Sequence, residues 1–402
     1  MKILIISMAF PYPTKAGGKL RVYNLIREVS KYHEIYLISL IYKDEIEYIP
    51  EMLKFCKQVE VVPFEHTRFS KMTRWLRIFT SLFTKTPVEM AAKESRSMQK
   101  KVNEIITNEF DIIQVEWLQM TQYLPFDQLK NIPLILVEHD VSYVPWQRRI
   151  QTEKGLLKYI ARREFSKVKN YERKICQNFD KIIVMSEIDK NRLSMLHKNL
   201  DIRVVPNGVD TENIQATVKR EDANSLLFIG WMRHQPNRDA MNFFLDQIFP
   251  LISKAIPNTK LYVVGQHTPK NIVNLAKSNP NIICTGYVKD VGEYLYNCTT
   301  YICPLRIAGG TRLKILEAMA AGIPVVSTSI GAEGLNVTAD ENILIADTPE
   351  EFAEMTIRLL RNPELRERIA YNARIFVEEN YQWKKIAENM IGVYKEVIRR
   401  KQ

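Results

Sequence analysis

The chain has 402 residues, 46% hydrophobic and 26% charged, which is enough for two domains with sizeable cores and excludes a single small binding module or a disordered or collagenous polymer. Lys and Arg number 57 against 46 Asp and Glu, a net charge of +11 that favours anionic partners such as phosphates, nucleic acid or acidic lipid. The five cysteines, Cys56, Cys176, Cys284, Cys298 and Cys303, are scattered and odd in number, so neither a disulfide framework nor a zinc site is expected and a reducing cytosol fits best.

The opening run Ile3–Phe10 is short and is followed by Pro-Tyr-Pro-Thr-Lys, so it reads as a buried strand and not as a signal peptide. Apolar runs then recur at Ile35–Ile41, Ile112–Val115, Leu134–Val137, Ile182–Met185 and Ile202–Val205 with helical stretches between them, the alternation of a parallel sheet covered by helices. Pro206-Asn207-Gly208 and a polar stretch through Asn224 mark a turn and linker. The pattern restarts at Leu226–Gly230, Lys260–Gly265, Ile282–Thr285, Thr300–Cys303, Pro324–Ser327 and Ile343–Ala346. This predicts two α/β sheets in succession: a first domain over 1–205, a linker over 206–225, a second domain over 226–380 and a final helix over 381–402 returning toward the first. No apolar run approaches the roughly 18 residues of a bilayer span, so any membrane contact is expected to be peripheral.

In such sheets ligands sit at the carboxyl ends of the strands, and two facing sheets would place those ends across a cleft. After Thr300–Cys303, Gly309-Gly310-Thr311-Arg312 lead into a helix, whose free N–H groups and dipole suit a diphosphate. Leu313, Leu316 and Ala320 form its apolar stripe, while Gly310, Lys314 and Glu317 fall on another face. By itself a Lys–Glu pair three apart is most simply a solvated surface pair. Gly17-Gly18 after the first strand allow close backbone approach to a ligand or mark a plain turn, with Lys19 and Arg21 nearby. His139, in Glu138-His139-Asp140, closes a buried strand, and any of the three could face a ligand.

The segment Leu316-Glu317-Ala318-Met319-Ala320-Ala321-Gly322-Ile323-Pro324-Val325-Val326 resembles the signature of the family 4 retaining glycosyltransferases, the "glycosyl transferases group 1" of bacterial type. Val204-Val205-Pro206-Asn207-Gly208-Val209-Asp210, Phe228-Ile229-Gly230 and Gly17-Gly18 join it in the family's order. The resemblance implies the GT-B fold, two Rossmann-like domains, and transfer of a sugar from a nucleotide-diphosphate sugar to a glycan or lipid-linked acceptor in cell-envelope polysaccharide synthesis, with retention of configuration. It implies that Glu317 binds the donor ribose, that the amides of Thr311, Arg312 and Leu313 face donor phosphate or sugar, that Gly230 lines the donor site, and that His139 contacts acceptor or donor sugar. Gly17, Gly18 and Arg21 would then floor the acceptor side, and Ser186-Glu187 would line the cleft. Two positions depart from the family. Gly309 stands where a sugar-binding Glu is usual, and Trp231 stands where Arg often neutralises the pyrophosphate; Arg233, Arg312 or Lys314 is expected to supply the missing charge. No metal or other cofactor is expected, since no Asp-x-Asp motif appears.

Between Arg68 and Lys85, Phe69, Met72, Leu76, Phe79 and Phe83 recur at helical spacing with a basic border of Arg68, Lys71, Arg74 and Arg77. This reads either as a core-facing helix with a solvated rim or as an anchor on an anionic membrane, and the surplus of Trp75, Ile78 and Leu82 favours the anchor. A second basic stretch runs from Arg148 to Lys169. No nucleic-acid-binding signature accompanies this charge, so nucleic acid is not an expected partner. The expected place is the cytoplasm, at the inner face of the membrane. A catalytically silent GT-B subunit and a GT-B sugar-nucleotide epimerase are the competing readings.

Overall fold

Strand β1, Lys2–Ser7, buries five successive side chains, as expected of a parallel strand with both faces covered. In the computed structural model, which describes residues 1–14, 16–64, 79–80, 83–106, 109–214, 224–307 and 310–401, the chain divides into two compact units. One comprises Met1–Pro206 with Trp383–Gln402, the other Asn207–Gln382.

The first unit is built on a parallel sheet of β1, β2 (Glu34–Ile41), β3 (Gln58–Pro63), β4 (Ile112–Glu116), β5 (Leu134–Glu138), β6 (Lys181–Val184) and β7 (Ile202–Val204), in the order β3-β2-β1-β4-β5-β6-β7. Strand β3 is not among the apolar runs read from the sequence, because it is an edge strand in which only Val62 is buried. Helix α1 (Gly17–Val29) follows β1, α2 (Tyr143–Thr152) and α3 (Gly155–Ile175) follow β5, and α7 (Trp383–Lys401) closes the chain. The two-residue period of the strands sorts side chains into two cores. Ile3, Ile5, Ile112, Ile135 and Val137 face α1 and α7, packing on Val22, Leu25, Trp383 and Met390. Leu4, Ile6, Ile113, Val115 and Leu136 face the other way, toward Val168 of α3.

The second unit repeats the plan with β8 (Ser225–Ile229), β9 (Lys260–Val264), β10 (Ile282–Gly286), β11 (Thr300–Cys303), β12 (Val325–Ser327) and β13 (Leu344–Ile345), ordered β10-β9-β8-β11-β12-β13. Helix α4 (Gln235–Phe243) follows β8, α5 (Leu313–Ala320) follows β11, and α6 (Pro363–Asn380) packs on α5. In each sheet the order reverses next to the first strand, between β1 and β4 and between β8 and β11, the switch point outside which doubly wound sheets bind ligands. No helix among the described residues is long and apolar enough to cross a membrane.

Candidate active site

At the first switch point, Ser7 at the end of β1 lies in register with Glu116 at the end of β4. Glu116 and His139 have the side-chain parity that faces α1, and His139 Nε2 lies 2.6 Å from Glu116 Oε2. Burial lowers the His139 pKa, against the opposing pull of Glu116, so the imidazole is neutral at neutral pH and donates Nε2–H to the carboxylate. Its Nδ1 is left as an acceptor on the side of Gly18. Trp117 stacks on the ring at 4.0 Å and 9°, held at φ 72°, a left-handed conformation that is costly for a bulky residue.

Gly17 and Gly18 are the first two residues of α1. A Cβ on Gly18 would lie 2.6 Å from Trp117 Cζ2 and 3.5 Å from His139 Nδ1, so only glycine lets the helix start come this close to the stacked pair. The close approach read from the two glycines is thus made first to the Trp117–His139 pair.

Arg21 corrects the sequence reading. It does not reach out of the loop: it is 0% exposed, and its Nη1 and Nη2 donate to the carbonyls of Pro206 at 2.6 Å and Val205 at 2.9 Å. Burial pushes its pKa down to about 10, against the raising effect of Glu116. As the fifth residue of α1 it falls on the helix's sheet-facing stripe, so its charge balances Glu116 from inside the fold. Gln114 donates to Glu116 at 2.5 Å and accepts from Tyr394 of α7 at 2.6 Å, completing the buried network. Lys19 ion-pairs with Glu45.

Glu138, one residue before His139, has the opposite parity. Its carboxyl is buried, and its pKa lies well above the ordinary range because of burial and then of Glu172; Glu172 is raised too, chiefly by burial. Glu172 accepts from Ser142 N at 2.8 Å and so holds the turn after β5, while Asp140 is exposed. Ser186 is a helix cap, accepting from Asp189 N at 3.2 Å, and Glu187 is exposed.

At the second switch point the strand ends are pinned by close backbone contact. A Cβ on Gly265, at the end of β9, would meet Gly230 O at 1.9 Å, and one on Gly230 would meet Asn237 Cγ at 2.9 Å. Asn237 of α4 donates to Trp231 O at 2.9 Å and accepts from Lys314 Nζ at 3.0 Å. Lys314 also approaches Ile229 O at 3.4 Å and sits 4.5 Å from the centre of the Phe228 ring. Burial lowers its pKa. Lys314 therefore turns to α4 and forms no solvated pair with Glu317.

Glu317 is half-buried. Its carboxylate has no hydrogen-bond or ion-pair partner among the described residues, and burial raises its pKa against the pull of Lys314. Helix α5 begins at Leu313 with no side chain among the described residues capping it; Ile315 N bonds to Arg312 O at 3.0 Å, leaving the amides of Leu313 and Lys314 for an outside acceptor. Gly310, at φ 64°, lies before the helix and not on it. The helix is buried more widely than a single stripe, through Ile315, Leu316, Ala318, Met319 and Ala320. Thr311 is held by Asn207, whose Nδ2 donates to its Oγ1 at 2.6 Å.

Two of the three cations read from the sequence do not project from this site. Arg233 is exposed in the loop after β8. Arg312 is buried, donating to Ile330 O at 3.2 Å and pairing with Glu333 at 3.8 Å, because the turn before α5 aims it into the following loops. Its charge still contributes: the His234 pKa is lowered by partial burial and then by Lys314, Arg238 and Arg312, so the potential here is positive. Trp231 is exposed and meets His267 edge-on at 6.5 Å. Gly309 lies outside the described residues. Glu116, Trp117 and Asn237 are not among the residues singled out from the sequence, although a charged residue closing a buried strand, as Glu116 does, is a usable signal.

The model for "Glycosyltransferase Family 4" matches residues 16–213 and that for "Glycosyl transferases group 1" matches residues 223–362. The chain belongs to the group 1 glycosyltransferases. An uncharacterized 44.6 kDa protein in the cps region of Klebsiella pneumoniae is 26% identical over 96% of this chain and 97% of its own. Sucrose-phosphate synthase from Thermosynechococcus elongatus superposes with a TM-score of 0.73 at 17% identity over 100% of both chains. Anabaena Alr3699/HepE, in complex with UDP-glucose, does so with 0.65 at 13% identity over 98% of this chain and 100% of that one. The fold is GT-B, and this glycosyltransferase carries its candidate groups at the switch points of its two sheets.

Proposed function

We propose that the protein transfers a sugar, with retention of configuration, from a nucleoside-diphosphate sugar to a glycan or lipid-linked acceptor in the synthesis of a surface polysaccharide. The observation that carries this reading is Glu317: a half-buried carboxylate with no partner among the described residues, one helical turn from Lys314 on a helix that no described side chain caps. A ribose hydroxyl on Glu317 and a diphosphate on the amides of α5 would meet both unmet needs. As the glycosidic bond breaks, negative charge gathers on the leaving diphosphate, and Lys314 in its positive surroundings stabilises that charge more than it stabilises the intact donor.

In the first unit, His139 presents Nδ1 as an acceptor for a sugar hydroxyl, its tautomer set by Glu116. The protein acts at an anionic membrane surface through the segment Arg68–Lys85. Residues 68–78 and 81–82 of that stretch lie outside the described residues; Phe79 and Phe83 are exposed, which supports the reading.

A panel of nucleotide sugars is to be screened for thermal stabilisation, and the stabilising donor then incubated with acceptor extracts. One donor class should raise Tm, and its sugar should appear in product with the anomeric configuration of the donor by NMR. Inversion would remove the retaining assignment, and conversion of the nucleotide sugar without an acceptor would mark an epimerase.

A further inference from the structure

Along α3, Leu156, Tyr159, Arg163, Lys167, Asn170 and Lys174 recur three and four apart, which places them in one line on the helix. The line begins with exposed apolar side chains, Leu156 being 65% exposed, and becomes cationic. Beside its cationic part lies a depression of about 420 Å³ whose described lining includes Lys85, Arg163, Lys167, Tyr171 and Lys174 and, among the described residues, no acidic one. Lys167 is neutralised by Glu164 at 2.6 Å. Arg163 differs: its Nε is buried and has no hydrogen-bond partner among the described residues. A buried donor left unmet on a wall of like charges points to an absent acceptor of opposite charge. Two residues before Lys85, Phe83 is 75% exposed and meets Phe79 edge-on at 5.3 Å, an exposed aromatic pair on the segment that leads into Lys85.

We propose that this depression binds the phosphate or diphosphate group of an amphiphile, separately from the nucleotide-sugar site of the second unit. Arg163 and Lys174 supply the charge-assisted hydrogen bonds, and the aromatic pair meets the start of the apolar chain. The anion comes either from a lipid-linked acceptor, which rests on the transfer reading above, or from a bilayer headgroup, which does not.

The test is calorimetric titration of the full chain with inorganic pyrophosphate, with and without saturating UDP, beside co-sedimentation with phosphatidylcholine vesicles lacking or containing phosphatidylglycerol. Pyrophosphate should still bind in the presence of UDP. Arg163→Gln should weaken it on the order of ten-fold or more, Lys174→Gln less, and Arg162→Gln, a nearby exposed cation outside the depression, not at all. Loss of pyrophosphate affinity alone assigns the acceptor's phosphate; loss of vesicle binding as well assigns the headgroup. Pyrophosphate affinity that is absent under UDP, or unchanged in both Arg163→Gln and Lys174→Gln, overturns the proposal. Failure of UDP itself to bind would overturn the donor reading while leaving an Arg163-dependent site standing.

Discussion

The His139 imidazole lies flat on the Trp117 indole, 4.0 Å away and 9° from parallel, and the start of α1 approaches the pair so closely that Gly18 has no room for a methyl group. Gly18→Ala therefore forces the indole, the imidazole or the helix to move. Turnover should fall at least ten-fold and stability by about 1–3 kcal/mol, the usual cost of overpacking, while nucleotide affinity, which the proposal assigns to the second unit, stays unchanged. Denaturant unfolding with parallel kinetics checks this, and unaltered turnover would detach the Trp117–His139 pair from the chemistry.

Glu317→Gln should weaken nucleotide binding by about 1–3 kcal/mol by replacing a charge-assisted hydrogen bond with a neutral one. Burial raises the Glu317 pKa, so in the wild type donor affinity should decline on acidification earlier than for an ordinary carboxylate, as protonation removes the charge. The variant should lack that decline. Calorimetry across pH is the measurement, and equal affinities at every pH would take Glu317 out of the site.

Lys314→Ala should lower kcat more than it raises KM, because the charge is needed most as the diphosphate leaves. Arg233→Ala should leave both within about two-fold, since that side chain is exposed to solvent. A larger loss in Arg233→Ala than in Lys314→Ala would reverse the assignment of the compensating cation.

The buried pair Glu138 and Glu172 makes stability pH-dependent. Burial raises both pKa values above 4.5 in the folded state, so the folded chain keeps protons that the unfolded chain has released. The favourable term is complete below the unfolded value and is lost as pH rises through the raised folded values. Glu172→Gln, which still accepts from Ser142 N, should melt higher than wild type at about pH 8.5 by several degrees, with the gap closing near pH 5. A gap that is the same at both pH values would show that Glu172 is not held protonated.

Much of the fold is legible along the chain, because buried parallel strands need continuous apolar runs and turns need Gly and Pro, both local requirements. Ile3–Ser7, Leu134–Val137 and Thr300–Cys303 stand out in this way, and the glycine-led helix with Lys314 and Glu317 follows at the end of its strand. Strand β3 does not stand out, because as an edge strand it buries little.

What the sequence by itself determined is which residues are available after the strands: His139 and Gly230 at strand ends, and Lys314 and Glu317 on the helix that follows Thr300–Cys303. Only the tertiary structure decided which way each one points. The two-residue period puts Glu138 and His139 on opposite faces in any strand, but which face meets α1 and which meets α3 depends on packing between segments distant in the chain. The same long-range packing turns Arg21 inward to Val205 and Pro206 and Arg312 toward Glu333, and brings Asn237 against Lys314 across 77 residues. A long cationic side chain settles on whichever carbonyls and carboxylates the fold brings within reach, since a buried charge must be paired.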